Sequence, residues 1–254
     1  MFYQNAIGTF KSELSISKKE ILTVIPARGG SKGIPRKNIK DLAGKPLLAY
    51  TAEAALNSKR LGRIILSTDD DEIKKVGYSL GLEVPFDRPS ELAQDYSTGT
   101  LVIQHAVRTF EELEHYCPEV IVVLQPTSPL RTSKHIDDAL EIFQKNKADS
   151  LVSVTEVPHN TNPYSVMKLE KDGMVKPFLN YDENKNLRQM KPKFYARNGA
   201  AIYICTYECL MKKNSLFGKT TLPYFMNKED SLDLDDEVDW QMTELVLNKH
   251  SLGY

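Results

Sequence analysis

The chain has 254 residues, a formal net charge of -1 at pH 7, and apolar and charged fractions of 41% and 26%. This length can bury one full hydrophobic core, and the composition is that of an ordinary globular protein. The near-zero net charge excludes an overall basic footprint for nucleic acid, and no apolar run approaches the roughly 20 residues that a membrane-spanning helix needs. We therefore expect no nucleic-acid or membrane partner. The absence of an apolar signal-peptide core in residues 1–20 leads us to expect a cytoplasmic location.

Apolar runs typical of strands alternate with helical patterns from Ile21 as far as Val157. Local signals mark several boundaries: Pro46 suits a first helical turn, Asp70 a helix N-cap and Gly81 a helix C-terminus. Strands that alternate with helices imply parallel pairing, right-handed crossovers and a sheet covered on both faces. In chain order, the predicted elements are the strand ILTVIPA, the helix PLLAYTAEAALNS, the strand RIILSTD, the helix DDEIKKVGYSLG, the strand EVPFDR, the helix STGTLVIQHAVRTFEELEHY, the strand EVIVVLQ, the helix SKHIDDALEIFQKNKA and the strand SLVSVTEV.

The alternation breaks in a segment rich in Pro, Asn and Lys. A loop of that length inside a compact domain is usually functional or carries strands of its own. We therefore predict an inserted arm at about residues 158–193 that serves substrate binding or dimerisation.

Strand character returns after this segment in FYARNGAAIYICTY. The last helix is predicted to be amphipathic, with Val238, Met242 and Leu245 on its apolar side. We expect residues 1–20 to form an N-terminal extension and residues 21–254 to form the single α/β domain.

The loop after the first predicted strand, IPARGGSKGIPRKN, is both glycine-rich and basic. Its glycines let main-chain N–H groups approach a ligand closely, and ligands of open parallel sheets bind beyond the carboxyl ends of the strands. The loop therefore indicates a polyphosphate site, although it matches neither the Walker A nor the G-x-G-x-x-G pattern. A solvated basic turn is the alternative. The basic residues of the loop are Arg28, Lys32, Arg36 and Lys37.

Paired carboxylates stand in the segment DLD near the C-terminus. If this segment is extended, Asp233 and Asp235 project to the same face. Two adjacent carboxylates are costly without a cation between them, and oxygen ligands favour a hard ion such as Mg²⁺. The alternative is that these residues and Asp236 only cap the final helix. Beside a polyphosphate loop, the metal interpretation is favoured.

Two further loops carry polar side chains. In LQPTSPLR, Gln125 offers an amide to a neutral polar substrate, or the segment is only a proline-stiffened turn with a helix cap at Thr132 or Ser133. In DRPSELAQDYSTGT, Arg88 and Ser97 are candidates for ligand binding, with a simple helix-capping run as the alternative.

The basic loop resembles the signature loop of the N-acylneuraminate cytidylyltransferases, which make CMP-sialic acid and bacterial relatives such as CMP-legionaminic acid. The resemblance covers roughly residues 20–247, and several motifs in order are more specific than any one. It implies a mostly parallel, Rossmann-like α/β sheet of the nucleotide-diphospho-sugar transferase type with a protruding dimerisation arm, so that 21–254 would be the nucleotidyltransferase domain. The other segments that carry it are STDDDEI, RPSELAQDYSTG, LQPTSPLR, NGAAIYI and SLDLDDEVDW.

The resemblance also implies roles for single residues. Catalytic roles fall on Arg28, Lys37 and Arg188, sugar recognition on Gln125 and Arg197, and Mg²⁺ binding on Asp233 and Asp235. Nucleotide binding falls on Arg28, Ser31, Lys32, Lys37, Asn38, Arg88 and Ser97.

The chain departs from the family pattern at two places. It has Leu187 where the family often has a second arginine, and Ala196 where some bacterial members have one. Either Arg188 or Arg197 is therefore left to meet the acidic sugar.

The implied reaction is in-line attack by the anomeric hydroxyl of a nine-carbon 2-keto sugar acid on the α-phosphorus of CTP, with release of pyrophosphate. Positioning and electrostatic stabilisation should dominate such a reaction. Because no histidine base stands out, metal-assisted deprotonation of the hydroxyl is our hypothesis. The resemblance further implies Mg²⁺ as cofactor and a homodimer whose arm covers the neighbour's site.

Three further functions are compatible with the same residues. A Kdo-type cytidylyltransferase is the near neighbour, although its first loop reads closer to YGSTRLPGK. A metal-dependent glycosyltransferase would use the D-x-D carboxylates with a nucleotide sugar. A non-catalytic nucleotide-binding protein would need the cations of the basic loop only for affinity.

Overall fold

The computed structural model describes residues 17–94, 97–179, 191–199 and 201–251. Five α-helices occur in these residues: α1 (Leu47–Leu56), α2 (Asp71–Ser79), α3 (Gly99–Glu114), α4 (Ser133–Asn146) and α5 (Glu237–Ser251). The strands are β1 (Ile21–Pro26), β2 (Asp41–Leu42), β3 (Lys45–Pro46), β4 (Arg63–Ser67), β5 (Val120–Val123), β6 (Ser150–Glu156), β7 (Met167–Leu169), β8 (Val175–Pro177), β9 (Tyr195–Arg197), β10 (Tyr203–Thr206) and β11 (Thr221–Phe225). Short helical turns lie at Lys18–Glu20, Lys37–Ile39, Ser90–Ala93 and Glu208–Lys212.

The central sheet has the strand order β11-β6-β10-β5-β1-β4, with β9 paired to β6. Strands β4, β1 and β5 pair in parallel, as do β6 and β11, whereas β10 runs antiparallel to both β5 and β6. The predicted α/β fold with a mostly parallel sheet is therefore confirmed. The pairs β2–β3 and β7–β8 form separate two-stranded hairpins.

Both faces of the sheet are covered, as the continuous apolar strands predicted. Along β1, Ile21 and Ile25 pack into a cluster that includes residues of α1, α2 and α4. Leu22 and Val24 point the other way, into a cluster with α3. Side chains that alternate along a strand fall on opposite faces, so β1 is buried on both.

Several predicted boundaries are confirmed at atomic detail. The Asp70 carboxylate accepts hydrogen bonds from the main-chain N–H groups of Glu72 and Ile73, and Gly81 takes a φ of +81° after α2. The expected strand EVPFDR is wrong: its Glu83 makes only an isolated bridge with Ile65. Pro85 in that segment has no N–H group to continue a ladder.

The apolar side predicted for the last helix is also wrong. Val238 and Leu245 are 63% and 72% exposed, and Met242 is exposed as well. The buried side is instead marked by Trp240 and Thr243. A tryptophan buries more apolar area than a smaller side chain, so it decides which side of α5 faces the core.

The segment predicted as an arm carries its own hairpin, β7–β8. Gly173, with a φ of +82°, makes the turn, and the Asp172 carboxylate accepts a hydrogen bond from the Met174 N–H group. The hairpin and its flanks expose large apolar side chains, namely Val166, Met167, Leu169, Met174, Val175 and Phe178. Among the residues that the structure describes, no helix has the length and apolar character needed to cross a membrane.

Candidate active site

A cleft of about 670 Å³ opens at the carboxyl ends of β1 and β5. This is the edge at which parallel α/β sheets bind ligands. Nine of the predicted site residues line it: Arg28, Ser31, Lys32, Lys37, Asn38, Gln125, Arg197, Asp233 and Asp235. The other lining residues are Pro26, Gly33, Pro126, Thr127, Gly199 and Tyr203.

One wall of the cleft is the basic loop, residues 28–38. Its main chain is held by one hydrogen bond within the loop and by another to a residue outside it. The buried Asn38 side chain donates to the Arg28 carbonyl at 2.9 Å, and the Gly29 N–H group donates to the Asp69 carboxylate at 3.1 Å. Ile34 anchors the loop in a small apolar cluster with Trp240. The loop is therefore a shaped wall that carries cations.

Arg36 does not share the orientation of the other loop cations. Its guanidinium pairs with the carboxylates of Asp70 and Glu72, and it is not among the residues that line the cleft. Hydrogen bonding to Asp70 is the main reason that the pKa of Arg36 is raised. The expected group of four loop cations is thus reduced to three at the cleft.

Lys37 joins the loop to the carboxylate segment that precedes α5. Its ammonium donates to the Leu234 carbonyl. Burial lowers the pKa of Lys37, while the nearby Asp235 and Asp233 oppose that shift. The two segments also touch through main chain, because a Cβ on Gly33 would lie 2.3 Å from the Asp235 carbonyl oxygen. The loop and the carboxylates are therefore two parts of one wall, here called the phosphate-side wall after the polyphosphate that the sequence predicts there.

The N-terminus of α5 is capped by Asp236 and Asp239, not by the side chains of Asp233 and Asp235. The Asp236 carboxylate accepts hydrogen bonds from the N–H groups of Val238 and Asp239 at 2.9 and 3.0 Å. The Asp239 carboxylate accepts from the Asp235 N–H group at 3.0 Å. Because Asp236 and Asp239 cap the helix, the side chains of Asp233 and Asp235 are left to line the cleft.

Asp233 is held tightly by the main chain around it. The Leu234 N–H group beside it donates to the Thr127 carbonyl at 2.9 Å, and Gly199, at a φ of +62°, leaves room where a Cβ would lie 2.0 Å from the Asp233 carboxyl carbon. Burial raises the pKa of Asp233, and hydrogen bonding to Thr127 partly offsets this rise. Its Oδ1 atom is buried and has no hydrogen-bond partner among the described residues.

This donor set fits a hard cation. A buried carboxylate oxygen without a partner is costly unless a ligand satisfies it. Within the described ranges, no group of three or more His, Cys, Asp or Glu side chains gathers to hold a metal. Mg²⁺ sites typically use one or two carboxylates and leave the other coordination positions to water and substrate phosphates, so a larger cage of protein ligands is not needed.

The opposite wall consists of residues 125–127 together with Arg197, Gly199 and Tyr203. It is here called the sugar-side wall, after the acceptor that the sequence predicts there. Arg197 is exposed at the end of β9, with its guanidinium 5.6 Å from the centre of the Phe217 ring. Gln125 follows β5, and it is fixed through its carbonyl, which accepts from the Arg131 guanidinium at 3.0 Å.

A buried polar network supports this wall at Asn198. The Ser153 hydroxyl donates to the side-chain amide oxygen (Oδ1) of Asn198 at 2.7 Å, and the Asn198 side-chain amide nitrogen donates to the Ser231 hydroxyl at 3.0 Å. The Ile202 N–H group donates to Ser153 at 2.9 Å. Because Ser231 precedes Asp233 by two residues, the network ties both walls together.

Two of the predicted residues, Arg88 and Ser97, do not line the cleft. Arg88 is buried and donates to the Ser67 hydroxyl and carbonyl, and burial lowers its pKa to about 10. The Ser97 hydroxyl donates to the Glu91 carbonyl at 2.6 Å. Arg188 lies outside the described residues. Their assignments stay predictions.

Thr127, Gly199 and Tyr203 are among the cleft residues that were not singled out from the sequence. Thr127 lies within the motif LQPTSPLR, so its hydroxyl could have been recognised from the sequence as a candidate ligand-binding group. Gly199 follows the asparagine that opens NGAAIYI, a dipeptide typical of positive φ. Tyr203 offered no signal, because a tyrosine in an apolar strand is typical of a core residue.

Comparison with known proteins gives an independent result. Residues 22–232 match the family model described as "Cytidylyltransferase". The chain is 36% identical to "Post-translational flagellin modification protein B" of Campylobacter coli, over 92% of this chain and 97% of that protein. It is also 36% identical to "CMP-N,N'-diacetyllegionaminic acid synthase" of Legionella pneumophila, over 91% of this chain and 99% of that protein.

A third relative, "N-acylneuraminate cytidylyltransferase" of Escherichia coli, is 35% identical over 91% of this chain but only 53% of its own length. Among solved structures, "CMP:2-keto-3-deoxy-manno-octonic acid synthetase complexed with CTP" superposes with a TM-score of 0.68, at 15% identity, over 91% of this chain and 99% of that one. A 4-diphosphocytidyl-2C-methyl-D-erythritol synthase from Anaerococcus prevotii gives a TM-score of 0.63 at 13% identity, over 93% and 100%. At these identities the structures support the fold.

Proposed function

We proceed from the fact that this chain belongs to the cytidylyltransferase family, and we propose that it transfers CMP from CTP to a nine-carbon 2-keto sugar acid. Relatives at about this distance are named for N-acylneuraminate, legionaminic acid and pseudaminic acid. The chain is therefore a nucleotidyltransferase that acts on a nonulosonic acid. An assay with a panel of these acids would show which of them it takes.

One observation carries the proposal most directly. Cations of the basic loop and the two carboxylates line a single cleft, and they are in main-chain contact through Gly33 and Asp235. The loop cations would neutralise the negative charge of a triphosphate, and the carboxylates would hold a metal ion that fixes its geometry before an in-line attack. The amide of Gln125 and the guanidinium of Arg197 face the same space, where the acceptor would lie.

In the proposed reaction, the anomeric oxygen forms a bond to the α-phosphorus, and the bond to the bridging oxygen of pyrophosphate breaks. Arg28, Lys32 and Lys37 would bind the triphosphate and stabilise the charge that grows on the leaving group. Glycine main chain in the loop permits close approach of N–H groups to phosphate oxygens. Gln125 and Arg197 would orient the acceptor so that its hydroxyl faces the phosphorus.

We also propose that Asp233 and Asp235 hold Mg²⁺. The partnerless Oδ1 atom of Asp233 and the exposed carboxylate of Asp235 are oxygen donors of the required kind. When bound, the ion would neutralise and orient the CTP phosphates.

A homodimer in the cytoplasm is the third part of the proposal. The β7–β8 hairpin exposes a cluster of large apolar side chains, which is uncommon on a monomer surface and typical of an interaction site. We expect this arm to pack on a second copy. The cytoplasmic location follows from the proposed substrate, because CTP is a nucleotide of that compartment.

The reaction is tested by pyrophosphate release from CTP with a panel of acceptors: N-acetylneuraminate, a legionaminic acid, a pseudaminic acid and the eight-carbon Kdo. We expect release with at least one nine-carbon acid and a CMP-linked product detected by mass spectrometry. Preference for Kdo would contradict the nine-carbon proposal. CTP binding without release for any acceptor would favour a non-catalytic nucleotide-binding protein.

The dimer is tested by light scattering on size-exclusion chromatography. Leu169→Glu, which places a charge on the exposed arm, should shift the protein from dimer to monomer. Leu113→Glu is the matched control, because Leu113 is similarly exposed on α3, away from the arm. A wild-type monomer, or a dimer that Leu169→Glu leaves intact, would contradict the proposed arm interface.

A further inference from the structure

Arg131 is a cation that the proposed mechanism does not yet use. It is 2% exposed and is among the largest fully buried side chains of the protein. Its guanidinium donates to the Gln125 carbonyl at 3.0 Å, the Ala201 carbonyl at 2.8 Å and the Thr51 hydroxyl at 2.5 Å. All three acceptors are uncharged.

No carboxylate compensates this charge in the part of the chain that the structure describes. The ion pairs found there do not include Arg131, and its Nε atom is buried without a hydrogen-bond partner. Burial lowers the pKa of Arg131 to about 9, which leaves the guanidinium charged at neutral pH. Its field reaches neighbouring groups, since it contributes to lowering the pKa of His135.

Such an arrangement is unfavourable for stability alone. A buried charge without a counter-charge costs more than an apolar side chain of similar volume. The charge of Arg131 lies directly behind the cleft. The two carbonyls that it binds belong to Gln125, which lines the cleft, and to Ala201, which lies between the lining residues Gly199 and Tyr203.

We infer that Arg131 is the positioning and specificity-determining residue of the sugar-side wall: it sets the spacing of that wall and supplies, from behind Gln125, the positive potential that selects an acceptor bearing a carboxylate. This inference rests on the proposed function. A charge in a low-dielectric interior acts over several ångströms with little screening, so contact with the substrate is not required. Arg197, the cation of the same wall, is exposed and is screened by salt to a greater degree.

The test compares two variants and two acceptors. Arg131→Lys keeps the charge, whereas Arg131→Gln keeps a donor and removes the charge. Each is assayed with the preferred sugar acid and with the same compound carrying a primary amide in place of its carboxylate, as a substrate or a competitive inhibitor. A purely structural role would change both acceptors alike.

We expect Arg131→Gln to raise KM for the acid about tenfold more than KM for the amide, because loss of the wall's spacing affects both acceptors and loss of the charge affects the acid alone. Arg131→Lys should recover most of the loss, and KM for CTP should stay within about twofold in both variants. Equal effects on acid and amide, or no advantage of Lys over Gln, would overturn the inference.

A measurement on the wild type covers the case in which Arg131→Gln does not fold. KM for each substrate is measured from about 50 to about 300 mM KCl at constant Mg²⁺. If Arg131 selects the acid, KM for the acid should rise less steeply with salt than KM for CTP, whose phosphates meet more exposed cations. An equally steep rise for the acid would assign selection to Arg197 and overturn the inference.

The proposed function and the role of Arg131 would be contradicted by different results. A wild type that makes no product with any nine-carbon acid overturns the proposed function and this inference together. A wild type that is active, with variants that treat acid and amide alike, overturns the role of Arg131 alone.

Discussion

The phosphate-side wall and the sugar-side wall of the cleft are held in place by different means. In the first, the basic loop packs directly on the carboxylate segment: the Gly33 main chain lies against the Asp235 carbonyl, and the Lys37 ammonium donates to the Leu234 carbonyl. In the second, buried side chains hold the wall from behind, with Arg131 on two carbonyls and Ser153 on Asn198.

Under the proposed function, this difference predicts which wall supports the chemistry and which wall selects the acceptor. Direct packing fixes cations and carboxylates at one spacing, which suits a triphosphate that every member of such a family would share. A wall held by buried hydrogen bonds can change shape when a supporting side chain changes, which suits discrimination between acceptors. Substitutions in the first wall should therefore reduce turnover, and substitutions behind the second should change affinity for the acceptor.

The largest effect is expected at Asp235. Asp235→Asn removes one negative oxygen ligand without changing shape, so turnover with CTP and Mg²⁺ should fall about a hundredfold or more. Asp236→Asn is the matched control, because Asp236 caps α5 and asparagine caps nearly as well. If Asp235→Asn turned over within about threefold of wild type, the carboxylates would not have the proposed role.

The next effect distinguishes two adjacent cations of the basic loop. Lys37→Met removes a cation that lines the cleft, and kcat/KM for CTP should fall about thirtyfold. Arg36→Met should leave kcat/KM within about threefold, since its guanidinium pairs with Asp70 and Glu72. Those pairs are partly exposed and contribute at most about 1 kcal/mol to stability. Equal losses in the two variants would show that the loop acts only through its net charge.

A smaller effect is expected behind the sugar-side wall. Ser153→Ala leaves the Ile202 N–H group and the Asn198 side-chain oxygen Oδ1 without their partner, so KM for the sugar acid should rise about fivefold while KM for CTP is unchanged. Unfolding free energy should fall by about 1–3 kcal/mol.

Ser150→Ala controls for the loss of stability. Ser150 is equally buried on the same strand and accepts from the Gly218 N–H group, far from the cleft. Its variant should lose similar stability and keep both KM values. If Ser150→Ala raised KM for the acid as much as Ser153→Ala does, the effect would reflect stability alone.

The phosphate-side wall could be predicted from the sequence because its parts are local. Glycines and cations within one loop, and two carboxylates within three residues, carry their chemistry in short motifs. Even there, sequence patterns could not show that Arg36 turns away, because its partner Asp70 lies 34 residues further on.

The support of the sugar-side wall was missed for a physical reason. Arg131 acts on Thr51 and Ala201, which are 80 and 70 residues away, so only the folded sheet brings them together. The buried side of α5 was predicted wrongly for the same reason, because it depends on residues that are distant in the sequence. The helix offers apolar side chains in several directions, and the pocket formed by Ile34, Leu42 and Leu47 takes Trp240.

The smallest expected effect concerns the stability of the metal-free protein. Burial raises the pKa of Asp233, so the folded state binds this proton more tightly than the unfolded chain does. Ionisation of Asp233 therefore destabilises the fold at neutral pH, and this cost disappears as pH falls below the pKa of the unfolded chain. Asp233→Asn should thus unfold at a higher temperature than wild type in EDTA at pH 7, with a difference that shrinks toward about pH 4, and yet lose turnover. Asp235→Asn, at the exposed carboxylate, should show no comparable gain. A lower melting temperature for Asp233→Asn would mean that attraction to Lys37 outweighs burial, and that the phosphate-side wall is stable without its cation.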